Sequence, residues 1–173
     1  MSTPPEDDPN AVTLSGERLV LRRAAPDDRE ALGEILSEPE VVRWWGPFDP
    51  LTAFDELASS FVIVVDDVVV GWLLFEEEDW WQYRHVAFDI ALSTALHGRG
   101  YGQEALRVAI RWFVSRGHHR FTLDPAADNA RAIRSYRALG FKPVGVLRAY
   151  EQRDGAWHDG LLMDLVADEF VDD

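Results

Sequence analysis

The sequence predicts an α/β (α+β) fold: a mixed sheet of six to seven strands flanked by about four helices. Three observations carry it. Residues 61–65 and 68–74 are apolar, β-branched runs separated only by Asp66-Asp67, the pattern of a tight hairpin. Ala105, Leu106, Ala109, Ile110 and Phe113 form one stripe at helical spacing, and Gly117 follows as a natural stop. Strands then alternate with helices in the second half, as βαβ crossovers do. Hairpins need antiparallel pairs and crossovers need parallel ones, so the sheet is mixed.

Each element has a local reason. Residues 19–21, inside ERLVLRRA, read as a strand. Pro26-Asp27-Asp28 opens a helix, since proline suits a first turn and acids there complement the helix dipole. Ala31, Leu32, Ile35 and Leu36 give that helix one buried face. A second short helix covers 38–45 and breaks at Gly46-Pro47. After the hairpin, 84–92 is another strand, and a glycine-rich turn at 98–102 leads into the helix at 101–116. Residues 119–123 form a strand that ends at Asp124-Pro125. Asp128 or Asn129 caps a helix that runs through Leu139 and stops at Gly140. Strands near 141–151 and 157–166 meet across Arg153-Asp154-Gly155.

Composition narrows the function. The 173 residues carry a formal net charge of −14. That strong negative balance argues against nucleic acid, whose binding needs clustered Lys and Arg facing phosphates, and against anionic membrane surfaces as partners. There is no cysteine, so no disulfide, Cys-type zinc site or Cys nucleophile is available. Residues 1–10 lack the basic and apolar regions of a secretory signal, and no apolar run is long enough to span a bilayer. The expectation is a cytoplasmic protein with a disordered acidic tail at 1–10 and a single domain over 11–168. The five histidines are scattered, and His118 and His119 would point to opposite faces of a strand, so no metal site is expected.

The segment His97-Gly98-Arg99-Gly100-Tyr101-Gly102 lies between a strand and a helix start. Glycines there let backbone N–H groups approach an anion at the helix N-terminus. It is neither Gly-x-Gly-x-x-Gly nor a P-loop. At a suitable distance follows a second block, residues 123–141 (LDPAADNARAIRSYRALGF). Together the two blocks resemble the GNAT superfamily of N-acetyltransferases: Gln/Arg-x-x-Gly-x-Gly/Ala, with His97 in place of the usual first residue, then Asn129, Ala132, Tyr136, Gly140 and Phe141. The start, LSGERLVLRRAAPDDREAL, resembles the same superfamily. Within it, VVRWWG, the acidic-Trp stretch from Glu76 to Trp81, and Asp124-Pro125 before Asn129 resemble aminoglycoside N-acetyltransferases of the 6′ type. Ribosomal-protein N-terminal acetyltransferases share the general start and compete.

The resemblance implies a GNAT fold and acetyl-CoA as acyl donor. The pyrophosphate of CoA would sit on the loop and helix start formed by His97, Gly98, Arg99, Gly100, Tyr101, Gly102 and Gln103. The pantetheine arm would run along Ile90, Ala91 and Leu92, with Asn129, Ala132 and Tyr136 also toward the cofactor. Tyr136 is the implied acid for the leaving thiolate, because a phenol near pKa 10 stays protonated beside a thiol near 8.5. Its helix face also suits a core residue. Asn129 reads as an N-cap, a CoA contact or both. Asp124 and Asp89 are implied to face a small amine substrate. Trp44, Trp45, Glu76 and Glu77 read either as an acceptor wall or as buried Trp beside a solvated acidic loop. The resemblance allows a homodimer. The rival functions are a protein N-terminal acetyltransferase and a CoA-binding module without catalysis.

Overall fold

The computed structural model describes residues 12–47, 49 and 57–172. The acidic segment 1–10 lies outside the described residues. Eight strands build one sheet: β1 (Thr13–Ser15), β2 (Val20–Arg23), β3 (Ser60–Val65), β4 (Val68–Glu78), β5 (His85–Leu92), β6 (Arg120–Leu123), β7 (Lys142–Arg153) and β8 (Ala156–Val166). Among the described residues four α-helices accompany them: α1 (Arg29–Leu36), α2 (Pro39–Trp45), α3 (Tyr101–Ser115) and α4 (Ala130–Ala138). The spatial order is β1-β2-β3-β4-β5-β6-β8-β7. Among the described residues, only β5 and β6 pair in parallel.

The sheet thus has eight strands, not six to seven. The extra one is β1, whose three residues pair antiparallel with β2. Three residues are too few to display an alternating pattern. A second correction concerns β4. It runs on through Glu76, Glu77 and Glu78, because Ala87, Val86 and His85 of β5 pair with them. Pairing across the sheet overrides the low strand preference of glutamate. The hairpin before it is as expected: Asp66 and Asp67 have φ of 49° and 63°, the two positive values a type I′ turn requires.

Alternation along the strands divides the core in two. Leu32, Leu36, Val41, Val62, Trp72 and Ala91 pack on the face covered by α1 and α2. Phe61, Ile63, Leu73, Val86, Phe88, Leu106, Phe113, Ile133 and Leu139 pack on the face covered by α3 and α4. Along β4, therefore, even-numbered residues from Trp72 onward look toward α1 and α2, and odd-numbered ones toward α3. No helix among the described residues is long and apolar enough to cross a membrane.

Candidate active site

The parallel pair β5–β6 is short. It is registered at His85, Val86 and Ala87 against Arg120, Phe121 and Thr122, and no further. β5 continues to Leu92 still paired with β4 on its other side, while the β6 side of residues 88–92 has no strand partner among the described residues. Unpaired strand edge normally invites another chain or a ligand with amide groups. Here it opens into a cleft of about 780 Å³ whose walls include Ile90, Ala91, Leu92, Asn129, Ala132 and Tyr136. The Ile90 N–H, a donor on this edge, meets Asp89 Oδ1 at 2.9 Å.

At the end of β5 the chain turns into α3. Gly98 and Gly100 both have positive φ, 71° and 83°, which an L side chain rarely adopts. The first helical bond runs from the Glu104 N–H to the Gly100 carbonyl at 3.0 Å. The N–H groups of Tyr101, Gly102 and Gln103 precede it and have no acceptor in the helix, so they form a set of donors at the positive end of a 15-residue helix. His97, Gly98, Gly100, Gly102 and Gln103 line the cleft; the Arg99 and Tyr101 side chains do not. Tyr101 instead packs against the main core and carries the Arg18 guanidinium 4.4 Å from its ring centroid. Gln103 Nε2 donates to the Ser135 carbonyl at 3.2 Å, tying α3 to α4. His97 Nε2 lies 2.8 Å from the Leu92 carbonyl, and its buried Nδ1 has no hydrogen-bond partner among the described residues. The unpaired strand edge, the helix-start donors and this orphan nitrogen together fit an elongated ligand with amides at one end and phosphates at the other.

On α4, Asn129 is the N-cap: its side-chain oxygen accepts from the Ala132 N–H at 3.1 Å. Tyr136 packs against Phe141, with ring centroids 6.3 Å apart, and also lines the cleft. Burial pushes its phenol well above the ordinary value, and the carboxylates of Asp89 and Asp124 push it further. The hydroxyl therefore stays protonated across the physiological range.

Opposite the helix start the cleft is acidic. Glu40, Glu76, Asp89, Asp124 and Glu151 line it, against Arg131 and Arg134. Trp44 and Trp45 complete this wall; Trp45 rests on Trp72, and the Trp44 indole nitrogen donates to Glu40 at 3.3 Å. Asp124 sits just past the end of β6 and accepts a hydrogen bond from the Tyr150 hydroxyl. That bond raises the Tyr150 phenol to about 12, with burial and the charges of Asp124, Glu76 and Asp89 adding to it. Three acids thus act on one point of the cleft.

Glu77 is not part of this wall. It occupies the other face of β4, toward the C-terminal end of α3, where its carboxylate lies 3.1 Å from His118 Nε2 and 3.5 Å from Arg116. Its neighbour Asp79 pairs with Arg84 at 2.5 Å. Glu77, Asp79 and His118 bring one ligand atom each within 4.8 Å, a grouping that spacing in the sequence did not reveal. Both carboxylates are already engaged by guanidinium groups. Trp80 and Trp81 are exposed and stand outside the cleft. Asp128, the other cap candidate, is bound instead to Arg153 at 2.9 Å.

A family model described as an acetyltransferase (GNAT) domain matches residues 18–142. The chain belongs to the GNAT family of acetyltransferases. An uncharacterized N-acetyltransferase p20 from Bacillus licheniformis is 28% identical over 177 residues, covering 92% of this chain and 98% of the relative. The L-amino acid N-acetyltransferase AaaT of Escherichia coli is 29% identical, covering 84% and 96%. An aminoglycoside N(6′)-acetyltransferase type 1 of Klebsiella pneumoniae is 23% identical, covering 79% and 80%. The 6′ type is thus a distant relative and is not set apart from the others as the sequence motifs suggested. Among solved structures, Mycobacterium smegmatis RimJ in complex with CoA-disulfide superposes with a TM-score of 0.80 at 22% identity, covering 93% and 90%. A spermidine N-acetyltransferase from Vibrio cholerae in complex with CoA and spermine gives 0.74 at 20%, covering 88% and 97%. The protein is an acetyl-CoA-dependent acyltransferase, so the reading as a CoA-binding module without catalysis is set aside.

Sequence reasoning missed Glu40, Tyr150 and Glu151. Glu40 carried a signal, one helical turn before Trp44. Tyr150 and Glu151 carried none, because only the irregular pairing of β7 with β8 brings them to the cleft.

Proposed function

We propose that this enzyme acetylates a primary amine of a small acceptor that carries more than one ammonium group, aminoglycoside-like in its charge. The observation that supports this best is the convergence of Glu76, Asp89 and Asp124 on one wall, beside two indoles. Carboxylates hold ammonium groups, and indole faces suit sugar rings or cations.

In this reading the backbone of residues 98–103 binds the pyrophosphate of acetyl-CoA and the open edge of β5 binds its pantetheine arm. Acetyl-CoA supplies the activated acyl group. Asp124 holds the attacking amine and assists its deprotonation, and a backbone N–H of residues 90–92 polarises the thioester carbonyl. Tyr136 protonates the departing sulfur; its raised phenol keeps the proton available at neutral pH. Asn129 holds the start of α4, and with it the approach of Tyr136, through its N-cap bond.

A thiol-release assay with acetyl-CoA against aminoglycosides, spermidine, L-amino acids and alanine-initiated peptides tests the proposal. Polycationic acceptors are expected to give the highest kcat/KM, with L-amino acids, which carry a single α-ammonium beside a carboxylate, at least about tenfold lower, the loss of one good ion contact. Preference for peptides would replace it with a protein N-terminal acetyltransferase.

A further inference from the structure

Tyr150 reaches Asp124 in an unusual way. The two residues belong to β7 and the end of β6, and β8 lies between these strands. Tyr150 therefore has to cross β8 to deliver its hydroxyl to the Asp124 carboxylate. It crosses at Gly160, the one residue of β8 that offers no side chain. A Cβ built there would stand 2.9 Å from the ring Cδ1 of Tyr150, closer than real contacts allow.

The backbone is shaped around this crossing. The β7–β8 register shifts between Leu147 and Glu151, and Ala149, just before Tyr150, has a φ of 49°. A non-glycine residue there is strained and persists only where neighbours hold it. Here the Ala149 N–H donates to Asp159 Oδ1 at 2.8 Å. The same stretch of β8 fixes the chain beyond Asp124: the Leu161 N–H donates to the Pro125 carbonyl and the Ala127 N–H to the Asp159 carbonyl, at 2.8 and 2.9 Å. One short segment, Asp159 to Leu161, thus sets both partners of the Tyr150–Asp124 bond.

We infer that Tyr150 is a positioning residue for Asp124: it binds one carboxylate oxygen, Oδ2, and so orients the other toward the acceptor amine. The inference rests on the role given to Asp124 under the proposed function. The geometry suits a hydroxyl that only donates. With Asp124, Glu76 and Asp89 around it, the phenol is driven to stay protonated. A carboxylate fixed through one oxygen loses rotational freedom before the acceptor arrives, which favours the attack geometry.

The test is a double-mutant cycle on the full chain, with spermidine and kanamycin as acceptors. Tyr150→Phe removes only the hydroxyl. It is expected to lower kcat/KM for the acceptor about tenfold and leave acetyl-CoA affinity, read by calorimetry, within about twofold. In an Asp124→Asn background the same change is expected to alter kcat/KM by less than about twofold, because little remains to be oriented. Gly160→Ala, which displaces the ring, is expected to reproduce the Tyr150→Phe effect. Independent of any acceptor, an ultraviolet-monitored tyrosine titration to about pH 11 should ionise one more phenol in Asp124→Asn than in the unmodified protein. Full activity in Tyr150→Phe beside a disabled Asp124→Asn would overturn the inference. So would additive losses in the double variant, or identical titrations. If Asp124→Asn itself is silent with every accepted amine, the role of Asp124 falls first and the inference with it.

Discussion

Glu76 and Glu77 are adjacent in the chain and face opposite sides of β4. Glu76 lines the cleft beside Asp89 and Asp124, while Glu77 meets His118 and Arg116 at the far end of α3. The period-two geometry of a strand separates them completely. A run of acids that looks uniform in the sequence is therefore two different devices, one lining the cleft and one holding the end of a helix.

The pair predicts divergent variants. Glu76→Gln should raise KM for a polycationic acceptor about five- to tenfold with little change in thermal midpoint. Glu77→Gln should leave acceptor KM unchanged. Its loss of contacts to Arg116 and buried His118 should lower the midpoint by about 2–4 °C, equivalent to ~1 kcal/mol for a domain of this size. Steady-state kinetics and calorimetric melting of the two proteins decide it. Equal effects on KM would contradict the division of β4.

Tyr136→Phe should reduce kcat about 10²-fold, the lower end of what a general acid contributes, while acetyl-CoA affinity changes by less than about threefold. Because burial and then Asp89 and Asp124 drive the phenol upward, the unmodified enzyme should show no alkaline loss of kcat from this group up to about pH 10. A pH–rate profile tests both statements. A kcat within about twofold of the original in the phenylalanine variant would return Tyr136 to a packing role.

Arg18 supports the glycine-rich loop before α3 from behind. Its Nε meets Glu104 at 2.7 Å, its backbone N–H donates to the same carboxylate at 2.7 Å, and its Nη1 donates to the Arg99 carbonyl at 3.0 Å. Arg18→Ala should raise the Kd for acetyl-CoA about fivefold and leave acceptor KM within about twofold, since the loop is held apart from the acidic wall. Gly100→Ala should act on the same loop. Its φ of 83° and an Arg18 nitrogen 3.3 Å from the new methyl predict a loss of about 1–2 kcal/mol in stability, read by urea unfolding.

Much of this was legible in the chain because the signals are local. The glycines at 98 and 100, the stripe on α3 and the N-cap Asn129 each specify their own geometry within a few residues. What stayed hidden depends on partners distant in sequence. Glu76 to Glu78 became strand because β5 pairs with them. β1 exists because β2 offers an edge. Tyr150 reaches the cleft only through a register shift and a glycine ten residues later in the next strand. The acidic wall mixes both kinds: Asp124 was visible at a strand end and Asp89 on the strand before the glycine turn, whereas Glu151 arrives only through the pairing of β7 with β8.

The titrating groups predict how stability falls in acid. The Asp28 carboxyl is held below its ordinary range by hydrogen bonds from Arg22. Burial would raise Glu38 and Glu104, but hydrogen bonds from Thr94 and Ser93, and from Arg18, outweigh it and leave both lowered. For each, the unfolded chain takes up a proton first. Their contribution is complete above the unfolded values, about 3.9 for Asp and 4.3 for Glu, and is lost as pH drops toward the folded values. His118 is a base, also lowered, chiefly by burial. Its unfolded form protonates near pH 6.5 while the folded imidazole stays neutral, so its contribution begins to fade at higher pH than that of the acids. Thermal midpoints measured from pH 8 to 3 should therefore show a shallow decline below about 6.5 and a steeper one below about 4.5. His118→Gln should flatten the first limb only, and Glu104→Gln the second only. A single transition unaffected by His118→Gln would show that the imidazole titrates alike in both states.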